Sequence, residues 1–147
     1  MEMKSKFFIL SFLIITFFLS AHLYGQANPD AILGIWFNEE KDAKIKVYRE
    51  SGKFYGKIVW HKTGDDISAF DENNPDPELR KRKKVGLVIL TDFEFDDGQW
   101  EGGEIYDPKS GKTYSCVIKL QKDGSLNVRG YIGISLFGRT TSWTKAE

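Results

Sequence analysis

The sequence predicts an all-β fold, a single antiparallel up-and-down barrel of eight strands behind a hydrophobic leader. Three observations predict it. From Gly34 onward, short segments of alternating apolar and polar residues recur, each bounded by turn residues. No segment carries a strong apolar period of 3.6 residues. Sequential strands joined by short connections lose their exposed edges most simply by closing on themselves.

The leader comes first. Lys4 and Lys6 precede residues 7–19, in which Ser11 and Thr16 are the only polar side chains. A basic start, a short apolar stretch and small residues at Gly25 and Ala27 describe a signal peptide over residues 1–27. The apolar stretch is shorter than the roughly 20 residues that a bilayer requires, so no membrane span is expected in the mature chain. No cysteine lies near the cleavage site, which argues against a lipid anchor. The expected destination is the periplasm or the exterior of the cell.

Residues 28–147 suit one domain with one core. The chain has 21 basic and 21 acidic residues. Removing Glu2, Lys4 and Lys6 with the leader leaves the balance near zero, so nothing in the overall charge points to nucleic acid. Cys116 is the single cysteine, which excludes an internal disulfide. Alternation places it with Tyr114, Ile118 and Leu120, as a small core residue and not a nucleophile.

The strands are expected at 33–37, 44–49, 54–61, 85–95, 99–106, 113–120, 125–132 and 135–145. Ile45 and Val47 alternate inward in the second. Ile58 and Trp60 share a face of the third. Val85, Leu87, Ile89, Phe93 and Phe95 are in phase along the fourth. Ser51-Gly52, Asp96-Asp97-Gly98, the run from Asp107 to Gly111, and Lys122-Asp123-Gly124 are hairpin turns. The one long connection is 62–84, and long loops in compact domains are usually functional lids or disordered segments.

An eight-stranded barrel has room for side chains or for one small ligand. Alternation puts Trp100, Gly102, Glu104 and Tyr106 on one face and Phe137, Arg139 and Trp143 on another. With the aromatics inward, Trp60, Trp100, Glu104, Tyr106, Tyr114 and Arg139 are the candidate ligand contacts. Glu104 and Arg139 would be interior charges that need partners. The loop carries Asp71, Asn74, Pro75, Asp76 and Arg80, and its two Pro residues stiffen it as an ordered lid that covers or borders one barrel end, with Trp60 at the hinge.

Calcium is a poor fit for the acidic half of the loop. Counted from Asp71, the fifth position is Pro75 and the twelfth is Arg82, against the helix-loop-helix calcium pattern. The basic run from Arg80 to Lys84 suits either contact with an anionic envelope component or protection of the aggregation-prone strand that follows. No Cys/His spacing suits zinc, and no cofactor is indicated. There is no Gly-x-Ser-x-Gly elbow and no phosphate loop, and His61 is expected exposed at a strand end, so no catalytic residue is nominated.

Gly34-x-Trp36 on a first strand resembles the lipocalin-type signature. The resemblance implies that Trp36 plugs one barrel end and that a last-strand Arg, here Arg139, packs across it, with Gly34 and Trp143 in the same plug. The mature chain as a whole is similar to a family of exported bacterial proteins, domain of unknown function 2147. The matching series is Gly34-Ile-Trp36, Tyr55-Gly56-Lys-Ile58, Asn74-Pro75-Asp76, Val85-Gly86-Leu87, the run from Trp100 to Ser115, Leu126-x-Val-Arg129-Gly130-Tyr131 and Gly138-Arg139-Thr-x-x-Trp143. This resemblance implies export and a barrel-like domain and supplies no activity. The expectations for function are therefore a binder of a small ligand or envelope component, or else a non-catalytic envelope module with a filled barrel, with an enzyme the least favoured reading.

Overall fold

The computed structural model describes residues 27–63 and 69–146. The leader expected over 1–27 falls outside them apart from Ala27, as do Asp65 and Asp66 of the long loop. The strands are β1 Gly34–Phe37, β2 Ala43–Glu50, β3 Lys53–His61, β4 Val88–Asp96, β5 Gln99–Asp107, β6 Lys112–Leu120, β7 Leu126–Tyr131 and β8 Arg139–Lys145. Each pairs antiparallel with the next, and β8 closes onto β1 through Trp36↔Lys145 and Phe37↔Thr144. The result is the eight-stranded up-and-down barrel that the punctuation implies.

The two ends differ. One has the tight turns, where Ser51 and Gly52, and Asp97 and Gly98, all take positive φ, as two-residue hairpins require. That end is plugged by a 3-10 helix, Pro29–Ile32, whose N-cap Asn28 side chain accepts from the Asp30 amide at 2.9 Å. Two buried indoles anchor the helix. Trp36 Nε1–H donates to the Ile32 carbonyl at 2.8 Å and Trp100 Nε1–H to the Pro29 carbonyl at 3.0 Å. Both polar tips are thus satisfied while the rings fill the core. Phe54 meets Trp100 edge-on at 6.4 Å, and Phe95 packs on it at 5.1 Å. The opposite end carries the longer connections 38–42, 62–87, 108–111 and 132–138.

Register shifts in β3, β4 and β5 reset the alternation and correct expectations in each strand. In β3, Ile45 pairs with Ile58 and Lys44 with Trp60, so Val59 is the extra residue. Trp60 therefore faces out and His61 in. In β4, Asp92 sits at φ 61° and the inward pair is Leu90 and Phe93, three apart. This strand starts at Val88, leaving Val85 outside it and exposed. In β5, the register shifts between Trp100 and Gly103, with Gly102 at φ 74°. Trp100, Gly103 and Ile105 then face the interior, and Glu104 faces solvent.

Candidate functional site: a cavity at the open end

The interior is packed at the plugged end and hollow at the other. The hollow part has a volume of about 550 Å³, within the range of roughly 300–1,000 Å³ common for small-molecule sites. Its floor is aliphatic and aromatic: Ile45, Ile58, Ile89, Ile105, Val128 and Trp143. Tyr106 and Tyr114 line the wall, and Gly130, next to Tyr114, adds no side chain to it. His61, Lys84, Asp42, Lys109, Tyr131 and Arg139 ring the mouth.

The mouth is polar for identifiable reasons. The β3 bulge turns His61 inward, where its Nδ1 lies 2.6 Å from Thr63 Oγ1. Burial pushes the His61 pKa below its ordinary value, the Lys84 charge adds to this, and Asp42 opposes it. Lys84 is only 8% exposed, its amide held by the Ala69 carbonyl at 2.6 Å. Across the opening, Lys109 bridges Glu40 and Asp42, the latter at 3.0 Å.

Residues 69–84 of the long loop are folded and clamped to the outside of the barrel beside this mouth. Phe70 and Lys83 form a bridge, and Asp71 N–H donates to the Arg82 carbonyl at 3.0 Å. Asp71 is completely buried and is the hub. Its carboxylate accepts from Tyr106 Oη at 2.6 Å, Asn74 Nδ2 at 2.9 Å, Arg82 Nε at 3.0 Å and Arg82 Nη2 at 2.9 Å. These bonds occupy the carboxylate lone pairs, which makes the buried charge tolerable. Burial and the hydrogen bond to Asp71 push the Tyr106 hydroxyl up to about 12, so it remains a donor. Asp76 caps the 3-10 helix Pro77–Lys81 by accepting from the Glu78 amide at 3.0 Å, with Pro75 exposed before it. Arg80 Nε donates to the Asn74 carbonyl at 2.8 Å.

Several residues nominated from sequence lie elsewhere. Trp60 is on the outer surface, edge-on to Phe37 with Lys44 Nζ 5.6 Å from its ring centroid. Trp100 belongs to the plugged end. Glu104 is exposed on the outer wall, in a groove beneath the loop, so it is no interior anchor. Tyr106 borders both that groove and the cavity, and Tyr114 lines the cavity. Arg139 is at the mouth, with its side chain 81% exposed and 3.9 Å from Glu39. It does not cover Trp36. The last-strand cation that does so is Lys145, with Nζ 4.4 Å from the ring centroid and 2.8 Å from the Leu33 carbonyl. Gly34 permits this crossing, since a Cβ there would stand 2.7 Å from that Nζ. Trp143 lies at the cavity floor and is not part of the plug contact. The basic run is likewise not a free strip, because Arg80, Arg82 and Lys84 are all engaged or buried.

Sequence reasoning placed His61 outside the barrel and Arg82 and Lys84 in a basic strip, and did not nominate Asp42 at the mouth or Lys145 on the plug. Only Lys145 had a usable signal, as the cation nearest the end of the last strand. Cys116 is fully buried, and burial pushes its thiol up to about 12.

Comparison with known proteins agrees with this geometry. A search of curated proteins gives no match. Among solved structures, the chain is similar to the one described as "Protein HP1028 from the human pathogen Helicobacter pylori belongs to the lipocalin family". The identity is 27% and the TM-score 0.69, over 79% of this chain and 83% of that one. The family described as "Uncharacterized protein conserved in bacteria (DUF2147)" matches residues 34–145, which span every strand of the barrel. With the motif series, the barrel and this match in agreement, the chain belongs to the DUF2147 family and has a lipocalin-like fold.

Proposed function

We propose that this is an exported binding protein that holds one small amphipathic molecule, its apolar body inside the barrel and its polar head at the mouth. The observation that carries the reading is the hollow open end, an aliphatic floor beneath a ring of polar and charged side chains. A floor without polar groups favours hydrocarbon by desolvation, while the few polar groups at the rim fix orientation. The inward placement of His61 and Lys84 favours an anionic head. Support for export comes from the leader, with its basic start and short apolar stretch.

The test is native mass spectrometry of the protein recovered from its own cell envelope, followed by a fluorescence titration with alkyl carboxylates of increasing chain length. The expected results are an N-terminus near residue 26 or 28, a mass excess that is lost on denaturation, and quenching or shift of Trp143 emission. Trp143→Phe assigns that signal among the four tryptophans. A protein that carries nothing and gives no response to any chain length would defeat the reading.

A further inference from the structure

We propose that the connection between β7 and β8 docks the barrel mouth onto an anionic lipid surface. The proposal goes beyond the ligand reading and does not depend on it. Between Tyr131 and Gly138, four large apolar side chains face solvent: Ile132 is 74% exposed, Ile134 60%, Leu136 74% and Phe137 80%. Burying such side chains is the ordinary rule, and this much contiguous exposure marks an interaction site.

The tip is held in this presentation. Arg129 of β7 donates from Nε to the Ser135 carbonyl at 2.7 Å, from Nη2 to the Leu136 carbonyl at 3.1 Å and from Nη1 to Thr140 Oγ1 at 2.8 Å. A 3-10 turn, Ser135–Phe137, completes it. The guanidinium ties down the backbone, so the apolar side chains project instead of collapsing onto the barrel.

Charge selects the partner. From Gly124 to Thr144 the sequence contains Arg129 and Arg139 and no acidic residue. Arg139, beside the tip, is 81% exposed and pairs with Glu39 at 3.9 Å. Apolar tips flanked by cations insert into the interfacial region of anionic bilayers. Shape argues against a second copy as the occupant. A stable protein interface buries about 1,200–2,000 Å² in total, more than a protruding tip of a few residues offers. Location adds a consequence, since Ile132 and Phe137 also border the cavity mouth. A lipid-facing tip there sets the cavity opening against the bilayer surface.

The experiment is co-sedimentation of the protein, as recovered from its envelope, with phosphatidylcholine vesicles with and without phosphatidylglycerol. Binding is expected to phosphatidylglycerol vesicles, weakening as salt rises. The double variant Leu136→Ser/Phe137→Ser should lose about tenfold or more in partitioning with an unchanged melting temperature, since both residues are exposed. Arg139→Gln should lose less, and its deficit should vanish at high salt. In Phe137→Trp, emission should shift to the blue on vesicle addition. Partitioning unaffected by the double variant would overturn the proposal. So would a wild-type dimer that the double variant dissolves without any vesicle binding. Gly130→Phe, which fills the cavity, should leave vesicle binding intact, so failure of lipid docking and failure of ligand binding are read separately.

Discussion

Trp36 shows how one side chain serves several constraints at once. Its ring is buried, its N–H is spent on Ile32, and its face carries the Lys145 ammonium. Trp36→Ala leaves a large void and removes the anchor of the plug helix. A loss of about 3–5 kcal/mol is expected in denaturant unfolding. Arg139→Ala should change stability by less than about 0.5 kcal/mol, because its guanidinium is mostly in solvent. Equal losses in the two variants would show that the plug is wrongly assigned. His61 supplies a second test at this scale. Its folded pKa lies below the ordinary value, chiefly because burial disfavours the imidazolium. Between that value and about 6.5 the unfolded chain binds more protons than the folded one, so stability falls as pH drops through this window. His61→Gln should flatten that segment of the pH–stability curve. An anionic head group near His61 must raise its pKa, which NMR titration of the ring with and without alkyl carboxylate reads directly. A downward or absent shift would remove the anionic head from the proposed ligand.

At the level of elements, the loop 69–84 behaves as part of the wall because Asp71 gathers Tyr106, Asn74 and Arg82. Asp71→Asn keeps the volume but puts an NH2 where an oxygen accepted. One donor then faces another, and a loss of about 1–3 kcal/mol is expected, tempered because Arg82 is partly in solvent. Trypsin should then cut between residues 80 and 84 well before the barrel unfolds. A variant as protease-resistant as wild type would show that the hub does not hold the loop. This scale also marks where sequence reading stops. Strand order, turns and closure were legible, because alternation and Gly-containing turns are local signals. The inward set was only partly legible. A bulge adds one residue to one strand of a pair, and the pairing partner is not a local property. Val59, Asp92 and Gly102 each shift the phase, which moved Trp60 and Glu104 outward and His61 inward. The hub was invisible for a related reason: Asp71 and Tyr106 lie 35 residues apart.

For the molecule as a whole, the uneven filling of the barrel separates what makes it fold from what it holds. Trp36, Phe54, Phe93 and Trp100 pack the plugged end, and the open end spends apolar wall on an empty volume. Gly130 is where the two roles can be pulled apart. It is the penultimate residue of β7, pairs with Cys116 and Arg139, and takes no positive φ. A Cβ there would meet Ile105 and Tyr114 at 3.5 Å, an ordinary contact. Gly130→Phe therefore places a ring in the cavity without backbone strain, and replaces a residue that weakens strand interiors. The unliganded variant should melt at the wild-type temperature or above it. Wild type should gain stability with added ligand as RT ln(1 + [L]/Kd), about 2.7 kcal/mol at a hundredfold excess over Kd, and Gly130→Phe should gain almost none. Equal ligand-dependent gains in both proteins would place the ligand outside the barrel. A marked drop in the melting temperature of the unliganded variant would mean that the open end is needed for the fold itself.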